Sequence, residues 1–171
     1  MKGRVFDRER GVHFVTFSCF RRRRLLQHER VRRIVVGQLG AALAKFDGIC
    51  LGFVVMPDHV HAMLCFSRGG VLADFLESWK TASSAAIAVF YETAFANYWS
   101  GLAEKRVWQR RYFNVVVETA AEAEVKLDYM HANPVRAGLV GRPADWGSSS
   151  ARFYETGRSV GLPIGWPDGF Y

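Results

Sequence analysis

Cysteine is scarce in this chain: Cys19, Cys50 and Cys65 are odd in number, lie within apolar runs and form no CxxC pair. That argues against a disulfide framework and predicts buried free thiols in a reducing compartment. The N-terminal MKGRVFDRERG lacks the apolar stretch of a signal peptide, and no uncharged apolar run approaches the length of a membrane span. A cytosolic protein is therefore expected. Internal repeats and low-complexity segments are also missing. Acidic residues are the minority charge, 16 against 23 Lys and Arg. The basic excess is uneven, with Arg21 to Arg24 consecutive, Arg30, Arg32 and Arg33 close behind, and Arg106, Arg110 and Arg111 clustered later. A polyanion is the obvious partner for such a chain, and a well-solvated basic surface is the bland alternative.

What is present fits one folded unit, since half of the 171 residues are apolar. VHFVTFSCF, from Val12 to Phe20, is rich in β-branched and aromatic residues and predicts a first strand that ends in the arginine run. Apolar residues from Val31 to Phe46 recur at steps of three and four, with Gly48 following as a stop, which predicts an amphipathic helix. ICLGFVVM (49–56) and HVHAMLCF (59–66), separated by Pro57 and Asp58, read as a hairpin. A long helix is expected after Gly70, running to about Asn97, and RVWQRRYFNVVVE (106–118) predicts a fourth strand. Thr119 and Glu122 have the spacing of a capping box, so a third helix should start there and end near Asn133, before Pro134. The order is that of an α+β, ferredoxin-like βαββαβ antiparallel sheet with an additional C-terminal helix. Residues 1–134 are expected to form the functional domain. The segment 135–171, rich in Gly, Pro and Ser, is expected to be an irregular tail packed on it.

The chemistry concentrates in MPDHVHAMLCF, where His59 and His61 stand one residue apart. On a strand they project to the same side, with Met63 and Cys65 continuing that face. Apolar residues on both faces imply a strand covered on both sides. If the first two helices cover one face, the third has the histidine face left to it. On that helix Tyr129 and Asn133 are four residues apart and share a side, while His131 points elsewhere. Two neutral imidazoles and one amide oxygen make an incomplete ligand set with positions open for phosphate oxygens and water, which suits a catalytic divalent ion better than a closed structural site. Such an ion would act as a Lewis acid on a phosphodiester, with Tyr129 as the nucleophile forming a phosphotyrosine ester.

Each of these residues also has a bland reading. The histidines could be hydrogen-bonded core residues, Tyr129 a packed phenol, and Asn133 a helix terminator. Asp58 reads as a turn residue facing away from the histidines, with contact to an imidazole as the lesser option. Trp108 reads as core more than as a stacking platform, and the tail aromatics are left without assignment.

MPDHVHAML resembles the His-hydrophobic-His motif of the HUH single-strand DNA endonucleases. WQRRYF, then YMHANPVRAGLV, then DWGSSS are similar to the IS200-like Y1 transposases, most closely to the branch of REP-associated tyrosine transposases. The resemblance implies a metal-dependent DNA transesterase in which His59, His61 and Asn133 bind Mg²⁺ or Mn²⁺ and Tyr129 becomes joined to a 5′ phosphate. Insertion-sequence relatives carry a glutamine at the third ligand position, where this chain has Asn133. The partner so implied is single-stranded or hairpin DNA of palindromic, REP-like elements in a bacterial cytoplasm, at the nucleoid, with a monomer expected over a dimer. Given such a substrate, Arg21, Arg22, Arg23, Arg24, Arg110, Arg111 and Arg136 are the candidate phosphate contacts. A non-cleaving hairpin-binding protein of the same ancestry is the alternative function, and a water-activating phosphoesterase a further one.

Overall fold

Aromatic and β-branched residues from Val12 to Ser18 form one of the two interior strands of a four-stranded antiparallel sheet. The computed structural model describes residues 11–170. The stretch MKGRVFDRER, on which most of the expectation of no leader rests, lies outside the described residues. The elements are β1 (Val12–Ser18), α1 (Glu29–Phe46), β2 (Gly48–Val55), β3 (His59–Phe66), α2 (Leu72–Ala94), α3 (Ala96–Ser100), β4 (Phe113–Val117), α4 (Ala120–His131), α5 (Asn133–Arg136) and α6 (Ala151–Thr156). The strand order is β2-β3-β1-β4 with every neighbouring pair antiparallel, so the expected βαββαβ arrangement is present with α4 as the additional helix.

The two faces of the sheet have separate apolar cores. Val15, Phe17, Phe53, Val60 and Leu64 pack under α1 and α2 with Val35, Leu39, Phe75 and Trp79. On the other face Phe14, Leu51, Val54 and Met63 pack under Ala123, Leu127 and Met130 of α4. A bulge in β2 makes the second contact close: Cys50 pairs with Leu64 and Gly52 with Met63, so Leu51 is the extra residue and stays unpaired. Gly52 sits directly beneath α4, where a Cβ would stand 2.4 Å from Leu127 Cδ2 and 2.8 Å from Met130 Cε. Thr119 caps α4 by accepting from the Glu122 amide, and the Glu122 carboxylate in turn accepts from the Glu118 amide, a variant of the expected box.

Several boundaries differ from the periodicity reading, each for a tertiary reason. Asp47, in the left-handed conformation, ends α1, while Gly48 already belongs to β2 and lies close to Phe66 and Leu43. The long second helix breaks at Phe95, whose ring stacks on His28 with centroids 4.6 Å apart, and resumes as α3. The fourth strand is split. Val107 and Gln109 bond to the end of β1, whereas residues 110–112 leave the ladder before β4 begins. Trp108 is buried and donates to Ser83, as a core residue would. α4 stops at His131, and Pro134 then occupies the first turn of α5, where its missing N–H costs nothing.

The tail is more ordered than its composition suggests. Ser148 and Ser150 bond to the backbone of Val55 and Phe53, so the serine run lies along the otherwise free edge of β2, and α6 follows. Cys19 and Cys50 are buried free thiols that burial pushes up to about 12. Among the described residues no helix is long and apolar enough to cross a membrane.

Candidate active site

Strand alternation puts His59 and His61 on the face that α4 covers, with ring centroids 4.9 Å apart and planes nearly perpendicular. Their backbone partners across β1 are Ser18 and Thr16. Each imidazole is held through Nδ1. Thr16 Oγ1 is 2.6 Å from His61 Nδ1, and Asp58 Oδ1 is 2.6 Å from His59 Nδ1. Anchored in this way, both rings keep Nε2 for a ligand. Burial, reinforced by His59, Arg136 and Arg22, pushes His61 down to about 3. It is therefore a neutral ring at physiological pH, the form that binds metal.

The lesser reading of Asp58 is the one realised. Alternation does not govern Asp58, because β3 begins at His59 and the aspartate belongs to the turn, where its carbonyl accepts from the Cys19 amide. The second oxygen of its carboxylate pairs with Arg22 Nε at 3.0 Å.

α4 carries Tyr129 to within 6.3 Å of His61, centroid to centroid, in an edge-to-face arrangement, and leaves the phenol 55 % exposed. Asn133, at the start of α5, is tied to the same group through Arg136. One Arg136 amino group donates to Asn133 Oδ1 at 2.6 Å and to the Tyr129 carbonyl at 2.7 Å, and the guanidinium lies 4.4 Å from the Tyr129 ring centroid. The Nδ2 atom of Asn133 is buried without a hydrogen-bond partner. The unpaired atom is an N–H donor, which suits an acceptor oxygen of a ligand such as a phosphate rather than a cation. Among the described residues no group of three or more His, Cys, Asp or Glu side chains is placed to hold a metal ion. Two imidazole nitrogens and an amide oxygen are ligands of the kind that an open divalent-metal site uses.

His131 is a structural residue. It is buried, burial pushes it down to about 4, and its Nε2 lies 2.7 Å from Ser150 Oγ, which also accepts from the Phe53 amide. This link fastens the end of α4 to β2 and the tail.

Some arginines are held by hydrogen bonds or ion pairs and others are exposed. Arg22 is held by Asp58 and Ser18, and Arg23 by the carbonyls of Phe20, Glu104 and Arg106. Arg136 belongs to the site itself. Arg21 and Arg24 are exposed at the end of β1, and Arg110 and Arg111 are exposed just before β4. Thr16 and Gly52 were not apparent from the sequence, and the contact made by Asp58 was only the lesser option there. A threonine opposite a histidine is visible only once strand pairing is known.

The family model described as "Transposase IS200 like" matches residues 9–133. A curated relative, the REP-associated tyrosine transposase of Escherichia coli (strain K12), is 24 % identical over 114 residues, which cover 67 % of this chain and 59 % of that protein. The chain thus spans less than two thirds of that relative's length. A solved structure of a REP-associated tyrosine transposase bound to a REP hairpin shares the fold at a TM-score of 0.65 and 21 % identity, covering 94 % of this chain and 89 % of that one.

Proposed function

This chain belongs to the IS200-like transposase family, and from that premise we propose that it is a metal-dependent single-stranded DNA endonuclease and strand transferase. It acts at REP-like hairpins through a 5′-phosphotyrosine formed on Tyr129. The observation that carries this reading is the approach of the exposed Tyr129 ring to His61, in a site where both histidines are anchored through Nδ1.

His59, His61 and Asn133 are the residues that would hold a divalent ion, which when bound would supply Lewis-acid polarisation of the scissile phosphate. Tyr129 attacks phosphorus, the bond from phosphorus to the 3′ oxygen breaks, and the phenolic proton is balanced by the new 3′ hydroxyl. The phosphotyrosine ester conserves the energy of the cut bond, so rejoining to a 3′ hydroxyl needs no nucleotide cofactor. Arg136, beside the phenol, and Arg22, tied through Asp58 to His59, place positive charge where the phosphate must sit.

The test is incubation with a labelled hairpin oligonucleotide bearing single-stranded flanks, in the presence of Mn²⁺. A covalent protein–DNA adduct that survives denaturation and disappears in Tyr129→Phe is expected. Binding without adduct would favour the non-cleaving alternative, and turnover without adduct a phosphoesterase that activates water.

A further inference from the structure

We propose that Phe113 is a stacking platform for an unpaired base flanking the scissile phosphate, and that the single strand runs over it into the basic groove between β1 and the start of β4. This rests on the DNA-cutting reading above and adds to it the path of the strand.

Strand register supplies the first argument. Thr16 pairs with His61 on one side and with Phe113 on the other, so His61, Thr16 and Phe113 form one row across the same face of three adjacent strands. With strands about 4.8 Å apart, Phe113 stands two strands, or roughly 10 Å, from the candidate metal ligand.

Coverage supplies the second. Further along β4 on this face Val117 is buried beneath α4 and Val115 is half-buried, but the helix does not extend over the other end of the strand. Phe113 is 61 % exposed there. A lone exposed aromatic would need no explanation. This one borders a groove formed by Thr16, Ser18, Arg106, Gln109, Arg110 and Arg111.

Charge supplies the third. Three arginines and no carboxylate line that groove among the described residues, and of the three Arg106 is paired with Glu104 at 3.3 Å. An aromatic face next to a cationic channel binds a single strand through base stacking and phosphate attraction together, and does so with little sequence preference. A duplex stem has no free base faces to offer such a platform, so the occupant is the unpaired flank of the hairpin.

The experiment compares a DNA stem-loop carrying a four-nucleotide unpaired flank with the same stem-loop made blunt, with 2-aminopurine placed in the flank. For wild type, tighter binding of the flanked probe and quenching of the 2-aminopurine are expected. Phe113→Ala should lose about 5- to 100-fold in affinity for the flanked probe, together with the quenching, while binding the blunt probe as before. Phe113→Trp should restore both. Equal affinity of Phe113→Ala and wild type for the flanked probe overturns the proposal, and so does quenching that survives the alanine substitution. If wild type binds and quenches but forms no Tyr129 adduct, the cutting reading fails while the platform stands. If wild type binds neither probe, both fail.

Discussion

Thr16 Oγ1 lies 2.6 Å from His61 Nδ1, across the pair formed by β1 and β3. That contact fixes which nitrogen of His61 faces the site. Thr16→Val keeps the shape of the side chain and removes the oxygen. Removing such an outer contact to a metal-binding histidine weakens affinity by about 10- to 100-fold. Mn²⁺ titration calorimetry should show this loss for Thr16→Val and near-normal affinity for Thr16→Ser, with the fold intact in both.

Arg136 donates to the side-chain oxygen of Asn133, the atom that would ligate the proposed metal. The guanidinium and the cation therefore compete for one acceptor and repel one another. Arg136→Gln should bind Mn²⁺ roughly tenfold more tightly in the absence of DNA, a difference of about 1.4 kcal/mol. The same variant should bind the hairpin less tightly and with a shallower salt dependence, because the positive charge beside Tyr129 is gone. Equal Mn²⁺ affinity in wild type and variant would mean that the two cations do not compete.

Gly52 lets α4 seat on the sheet. In Gly52→Ala the new methyl meets the ends of Leu127 and Met130, side chains that can move only by disturbing the core they fill. Overpacking of this kind costs about 1 to 3 kcal/mol. Urea denaturation should report that loss. Adduct formation at temperatures where the variant is still folded should fall further, since Tyr129 rides on the displaced helix.

His131 sets a pH dependence. Its folded value is depressed to about 4 from an ordinary 6.5 because the charged ring cannot be solvated where it is buried. The unfolded chain therefore binds this proton first as pH falls. The stabilisation is complete above 6.5 and is lost on descent toward 4, amounting to about 2 kcal/mol between pH 7 and pH 5. Wild type should lose stability across that window, and His131→Gln, less stable at pH 7, should show a flatter profile. A parallel profile for the two proteins would remove His131 as the cause.

The elements with strong local signals were legible before any coordinates. Alternation placed His59 and His61 together, the three-and-four spacing marked α1, and Thr119 with Glu122 marked the start of α4. The docking of α4 on the histidine face also followed, because two helices had already claimed the other face. What escaped was non-local. ICLGFVVM reads as a plain strand, and only its pairing with β3 reveals the extra residue at Leu51 and the space that Gly52 leaves. Asp58 was placed by an alternation rule that stops one residue later, at the first residue of β3.

Composition, periodicity and the order of the elements, which are properties of neighbours along the chain, determined the βαββαβ framework, the paired imidazoles and the phenol and amide four residues apart, though on α4 and α5 rather than on one helix. Which side chain finishes each contact was decided by the folded molecule. Thr16 meets His61 across 45 positions of sequence, and the serine run reaches β2 across 97. Hydrogen bonds and close packing act over a few ångströms, and a linear sequence does not state which distant residues will fall within that range.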